Sequence, residues 1–273
     1  MYKSENSLSV LVNTSDGFED CWDPFFTLFN KYWFSCKYRI YLNTEFKKYS
    51  FKDLAIKTSE VGVHGKKLSW SECLIKALQI IDSPLILYFQ EDYFLESKVD
   101  VEFLVKIEKL MLKDTEIKYI GLTHFGNTGP FYKSKYDNLV SISQNSKYRI
   151  STQVAMWRKE TLLSYLRSDE NGWMFEIFGS KRANRTNELF LTVDRNMFSK
   201  EKRNYIFKYL HTGIIKGRWH PNIPAVFEKH NISIDFSKRG FYHPKPFIFR
   251  KIETFLRLIK DPLLFFKKYF LNT

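Results

Sequence analysis

The residues best equipped for chemistry are two adjacent carboxylates, Glu91 and Asp92, which interrupt the run LILYFQEDYFL over residues 85–95. A continuous stretch of aliphatic, β-branched and aromatic side chains predicts a strand buried on both faces, as in parallel sheets. Acids at the carboxyl end of such a strand stand at the rim of the sheet, where open α/β folds take their ligands. Carboxylates are costly to desolvate there unless something positive sits against them, and a divalent cation carrying a phosphate ester meets that need. The plainer reading is a strand-end turn whose acids face solvent or an arginine. Ahead of the pair lies His64-Gly65-Lys66-Lys67, just before a capped helix. Lysines near a helix amino terminus, Lys67 foremost, are placed to meet a diphosphate while Glu91 and Asp92 hold Mg²⁺ or Mn²⁺ against the same phosphates.

The elements that must position these groups follow from the pattern. Residues 8–13 (LSVLVN) predict a first strand and 14–17 the turn that leaves it. Asp23-Pro24 opens a helix to Trp33, because Asp caps well and Pro suits the first turn. Residues 38–42 (YRIYL) predict a second strand. Ser69-Trp70-Ser71-Glu72 has the form of a capping box and starts a helix to about Ile81, with Leu74, Ala77, Leu78 and Ile81 on one stripe. Ser83-Pro84 breaks that helix and the acidic strand follows. A helix from about 101 to 113 and a strand at 119–123 come next, then a Gly-rich polar loop over 124–132. Strand and helix in alternation predict a parallel sheet.

Size and charge narrow the class. The chain has 273 residues, 44% of them hydrophobic and 18% aromatic, ample for a core. Lys and Arg exceed Asp and Glu by 43 to 30, a formal charge of +13 that favours an anionic partner. Cys21, Cys36 and Cys73 lack metal-type spacing and read as reduced thiols. No cationic segment with an apolar stretch opens the chain and no apolar window is long enough to span a bilayer, so a cytoplasmic protein is expected.

The first strand ending in Asn13-Thr14-Ser15-Asp16, the helix over 69–81 and the segment YFQEDYF together resemble the nucleotide-sugar-binding half of a GT-A glycosyltransferase. The resemblance spans roughly residues 7–123 and extends more weakly to about 220. It is closest to bacterial enzymes that assemble capsule, lipopolysaccharide or other surface glycans. It implies an α/β, Rossmann-like, mostly parallel sheet flanked by helices. It also implies a donor, most simply UDP-linked, bound by Asn13, Thr14, Asp16, Lys67 and Glu91, and a glycan or lipid-linked acceptor. The family's acidic signature, often D-x-D, would fall on Glu91-Asp92, with Gln90 standing where an acid is usual. Asp92 and Glu91 would then be metal ligands, with Mn²⁺ favoured over Mg²⁺ if a late-loop histidine, His211, joins them; His220 competes for that place. Lys216 and Arg218 would clamp the departing diphosphate.

After the acidic signature many GT-A enzymes bring an aromatic and a carboxylate to the acceptor. Residues 151–160 predict a strand running into a helix, and Asn171-Gly172-Trp173-Met174-Phe175-Glu176 follows. Trp173 would stack on an acceptor sugar. Glu176 would act as general base in an inverting enzyme, with Asp194 in reserve. An exposed Glu and a packed Trp at a helix start would look the same in sequence.

Residues 245–273 change character, with seven Lys and Arg against two acids, interleaved with Phe, Leu and Ile and broken at Pro262. Two short basic amphipathic helices fit this best, suited to an anionic membrane face. The organisation expected is a domain over 1–244, its donor-binding half 1–123 and acceptor-side half 124–244, followed by the tail. The protein would sit peripherally on the inner face of the cytoplasmic membrane. The rival readings are a metal-dependent nucleotidyl- or phosphotransferase, for which no G-x-x-x-x-G-K-[ST] loop is present, and a non-catalytic polyanion- or membrane-binding protein. Nucleic acid is not the expected partner, because Lys and Arg are spread widely until the tail.

Overall fold

A computed structural model describes residues 7–244 together with Pro246, Ile252, Leu256, Pro262 and Phe266. The chain forms two compact units, Met1–Thr212 and Gly213–Thr273. The basic amphipathic tail falls almost entirely outside the described residues.

The first unit is built on β1 (Leu8–Asn13), β2 (Ile40–Asn43), β3 (Ile56–Thr58), β4 (Leu85–Gln90), β5 (Ile117–Gly121), β6 (Phe131–Lys133), β7 (Leu139–Ile142), β8 (Ala155–Arg158) and β9 (Leu189–Val193). They make one nine-stranded sheet in the order β3-β2-β1-β4-β8-β5-β9-β7-β6. Strands β3, β2, β1 and β4 are parallel, with Asn13 beside both Asn43 and Gln90. Strand β8 is inserted antiparallel between β4 and β5, and β9 runs parallel to β5. The result is the expected GT-A-like architecture, a mostly parallel sheet flanked by helices. Chain order reverses direction across the sheet between β1 and β4, the switch point at which open α/β sheets leave a crevice.

Helices α1 (Trp22–Tyr32), α2 (Trp70–Ile80), α3 (Val101–Lys113) and α4 (Lys159–Tyr165) accompany this sheet. Strand β4 is buried on both sides, as its unbroken apolar run requires. Phe89 meets Phe25 and Phe29 of α1 edge-on, at 6.2 Å in each case. Ile86 and Tyr88 join the core that contains Leu74, Ala77, Leu78 and Ile81, the stripe predicted for α2. Each such buried aliphatic or aromatic side chain contributes about 1.5–3 kcal/mol.

Several boundaries differ from expectation for local reasons. The residue capping α1 is Cys21, without a side-chain cap; Asp23 lies inside the first turn and accepts from Tyr49 Oη at 2.7 Å. Strand β2 starts at Ile40 and not Tyr38, whose hydroxyl donates at 2.7 Å to the buried carboxylate of Glu108. The fifth strand ends at Gly121 instead of Thr123. The polar loop after it closes into β6, one of the sheet's two edge strands.

In the second unit a hairpin pairs Ile214–Ile215 with Arg218–Trp219 through Lys216 and Gly217, both in the left-handed region (φ 52° and 77°). Two consecutive positive φ values are what a tight hairpin turn of this hand needs. Trp219 is buried against Phe227 and Phe236 at 5.8 and 5.7 Å.

Candidate active site

A cavity of about 330 Å³ opens at the carboxyl ends of β1 and β4. One wall comes from the strand ends and the turn after β1: Asn13, Thr14, Ser15, Phe18, Gln90 and Glu91. The facing wall is Trp70, Thr152, Gly172, Trp173 and Glu176. Five residues expected to do the work, Asn13, Thr14, Glu91, Trp173 and Glu176, therefore line a single cavity. It draws on both halves of the predicted domain.

The floor is a buried polar chain. Ser59 Oγ donates to Asn43 Oδ1 at 3.0 Å, Asn43 Nδ2 to Asn13 Oδ1 at 2.8 Å, and Asn13 Nδ2 to Tyr88 Oη at 3.1 Å. Gln90 Nε2 reaches the same phenol at 3.4 Å. Burial pushes the Tyr88 hydroxyl well above its ordinary range, so it stays neutral. A buried network is stable only when its members are satisfied, and this one fixes the amide of Asn13 beneath the cavity. Thr14 Oγ1 is likewise held, accepting from Trp22 Nε1 at 3.0 Å.

The facing wall is positioned by three devices. The capping box forms as read from the sequence: Glu72 N donates to Ser69 Oγ at 2.9 Å and Ser69 N to Glu72 Oε2 at 2.8 Å. It starts α2 so that Trp70, the first helical residue, faces the cavity. Gly172 lies against that indole, and a Cβ there would sit 3.3 Å from the ring, closer than ordinary van der Waals contact. The second device is a buried ion pair at the base of the segment. Arg182 donates to both oxygens of Glu170 at 2.7 and 2.6 Å and to the Tyr165 carbonyl at 2.6 Å. This fork brackets the Asn171–Gly179 stretch. Third, residues Phe175–Gly179 wind as a single π turn, a form that recurs at functional sites.

Glu176 lies on that π turn, and one of its oxygens is fully engaged. Its Oε1 accepts from Thr152 N at 2.7 Å, Thr152 Oγ1 at 2.9 Å and Ser151 Oγ at 3.2 Å. Among the described residues no donor reaches Oε2. The carboxylate is thus fixed in direction while one oxygen is left for chemistry. Trp173, 55% exposed, stands beside it at the rim of the cavity. An exposed indole next to an oriented carboxylate suits a sugar: an apolar ring face for stacking and an acceptor for a hydroxyl proton.

Other expected residues lie elsewhere. Asp16 is not a lining residue; its carboxylate accepts from the amides of Glu45, Phe46 and Lys47 at 3.0, 2.9 and 3.2 Å and so anchors the loop after β2. Lys67 is exposed and does not line the cavity, while its neighbour Lys66 is paired with Glu72 at 2.7 Å. Asp194 follows β9 beside a different depression and does not line this cavity; its Oδ1 accepts from Asn196 N at 2.9 Å in the turn there. Lys216 and Arg218 belong to the hairpin of the second unit.

The metal ligands expected from the resemblance do not gather. Among the described residues no group of three or more His, Cys, Asp or Glu side chains is close enough to hold an ion. Of the acid pair only Glu91 lines the cavity. Asp92 accepts from Thr212 Oγ1 at 2.6 Å and closes the chain segment 209–212 onto the end of β4. That segment is also held by Tyr209, stacked on Tyr93 at 4.8 Å and donating to Gln153 Oε1 at 2.9 Å. His211 is exposed, with its ring 5.8 Å from that of Phe125 and its carbonyl accepting from Gln153. These three side chains do not fit an ion held by the protein alone, so no step is assigned to one.

Sequence reasoning missed Ser15, Phe18, Trp70, Gln90, Thr152 and Gly172 as lining residues. Trp70 was within reach of it: a capping box that begins a helix after a parallel strand puts the first helical residue at the ligand edge of the sheet.

No protein-family model and no curated protein sequence matches the chain. Among solved structures it is similar to residues 1–349 of S. aureus TarS, at a TM-score of 0.45 and 12% identity, over 68% of this chain and 58% of that one. It is also similar to the same protein in complex with UDP-GlcNAc, at 0.42 and 11% over 69% and 59%. A third is the mannosyltransferase PcManGT from Pyrobaculum calidifontis in complex with GDP-Man and Mn²⁺, at 0.41 and 13% over 68% and 54%. The chain spans little more than half the length of these structures. The GT-A-like description of its first unit rests on its own strand order and directions.

Proposed function

We propose that the chain is a nucleotide-sugar-dependent glycosyltransferase. The observation that carries this reading is the single cavity at the β1/β4 switch point that joins strand-end polar groups to Trp173 and an oriented Glu176. The donor lies across the ends of β1 and β4, with Asn13 and Thr14 as hydrogen-bonding groups and Glu91 at its edge. The acceptor sugar stacks on Trp173. Glu176 takes the proton from the acceptor hydroxyl through Oε2 as the acceptor oxygen attacks the anomeric carbon. Ser151 and Thr152 keep Oε1 in place, so orientation is established before the reaction.

We assign the acceptor to a glycan or lipid-linked saccharide of a bacterial surface polymer, and the basic tail over 245–273 to an anionic membrane face. Both assignments are supported by the sequence alone. No helix among the described residues is long and apolar enough to cross a membrane.

The test is release of nucleoside diphosphate from a panel of UDP- and GDP-linked sugars, with and without Mn²⁺ or Mg²⁺. Turnover of at least one donor, lost in Glu176→Gln while donor binding is kept, supports the reading. A chain that neither turns over nor binds any nucleotide sugar overturns it.

A further inference from the structure

A second depression, about 640 Å³ in volume, lies along the same edge of the sheet. It is formed by β6, by the turn into β7 and by the residues that follow β9. Strand β9 runs parallel to β5, which runs parallel to β4, while β7 is antiparallel to β9. The end of β9, the start of β7 and the end of β6 therefore all fall on the edge where β4 delivers Glu91. Counted strand by strand, β4 and β6, which carry the two cavities, are about 24 Å apart along that edge.

The composition of the depression limits what it can take. Lys133 and Arg195 are offset by Asp137 and Asp194, so its formal charge cancels and neither a phosphate nor a cation is favoured. Its aromatic residues are not equivalent. The Phe131 ring is covered by the Arg195 guanidinium at 4.8 Å, and Tyr136 donates to Asp114 Oδ2 at 2.5 Å. Tyr132 is 58% exposed, and among the described residues its hydroxyl makes no hydrogen bond. The side-chain amide of Asn138 is equally uncommitted among the described residues, and its backbone is fixed in the left-handed region (φ 62°) by Asp194 N donating to its carbonyl at 2.9 Å. An uncovered aromatic face beside neutral amide and hydroxyl groups in a concavity matches a neutral polyhydroxylated ligand: apolar ring faces rimmed by hydroxyls.

We propose that this depression is a second saccharide-binding subsite, with Tyr132 as the stacking platform and Asn138 as a hydrogen-bonding partner. It would hold a distal part of the acceptor while the proximal sugar occupies the cavity of Trp173 and Glu176. The separation along the sheet edge is that of an oligosaccharide and exceeds a mono- or disaccharide, so the acceptor class is an extended chain. Its part in holding an acceptor rests on the glycosyl-transfer reading; saccharide binding at Tyr132 does not.

The experiment is a glycan array probed with the full chain and with Tyr132→Ala, Tyr132→Phe, Asn138→Gly and Trp173→Ala, followed by calorimetric titration of the captured glycan. A parallel thermal-shift panel of nucleotide sugars reports on the first cavity. The expected result is capture of neutral oligosaccharides by the wild type, weakened about tenfold in Tyr132→Ala and restored in Tyr132→Phe. Asn138→Gly, which tolerates the backbone conformation, is expected to weaken capture while leaving thermal stability in place. Capture of no neutral glycan by the wild type, or capture equal in wild type and Tyr132→Ala, would overturn the proposal. Loss of every nucleotide-sugar shift with Tyr132-dependent capture intact would instead contradict the transferase reading and leave the subsite standing.

Discussion

Glu176 shows how a single side chain is prepared by its neighbours. Three donors converge on Oε1, none of the described residues donates to Oε2, and the π turn beneath fixes the direction of the group. Glu176→Gln is therefore expected to keep donor binding and to lower transfer about 10²–10⁴-fold, the usual worth of a positioned base. Steady-state kinetics beside donor titration checks this, and a variant with near wild-type turnover would remove Glu176 from the chemistry. Trp173→Ala is expected to raise the acceptor KM about three- to tenfold with stability changed by less than about 0.5 kcal/mol, because the indole is more than half exposed. Asn13, Thr14, Glu91, Trp173 and Glu176 were legible because strand ends, and a carboxylate three residues beyond an aromatic, are local patterns. Asp16 was not. Its commitment to three amides of another loop is a tertiary fact that no local pattern encodes. Glu91 and Asp92 both lie in the turn after β4, where Glu91 lines the cavity and Asp92 accepts from Thr212 Oγ1, a long-range contact that the local sequence does not encode.

Elements, not single residues, hold the two walls of the cavity together. The Glu170–Arg182 fork is buried and bidentate, so removing one partner strands the other in a region of low polarity. Arg182→Leu is expected to cost about 3–5 kcal/mol by chemical denaturation, and the double replacement of both partners to recover part of that loss. Ser69→Ala removes half of the capping box and is expected to cost about 1 kcal/mol while loosening Trp70 at the site. Strands β1, β2 and β4 were legible because strand and helix patterns alternate there, and α3 was read to the residue, whereas the three-residue β3 was not read. The antiparallel insertion of β8 between β4 and β5, and the order β9-β7-β6, were not. Those strands are three to five residues long, and their neighbours are chosen by pairing between distant segments.

For the whole molecule, the +13 charge and the basic aromatic segment over 245–273 point to an anionic surface. Truncation at residue 244 is expected to abolish cosedimentation with vesicles containing anionic lipid, and raised salt to weaken the full chain's binding. Unchanged binding after truncation would refute the assignment of the tail. The central claim is that the first unit binds a nucleotide sugar at the end of β1 and β4. A ligand that binds only the folded state raises stability by about 2.7 kcal/mol at a hundredfold excess over Kd. The most direct measurement is a thermal-shift screen of nucleoside-diphosphate sugars against the full chain and an Asn13→Ala variant. The account predicts that at least one donor raises the wild-type Tm and that the increase shrinks in the variant. No shift with any donor, confirmed by calorimetry, would contradict it.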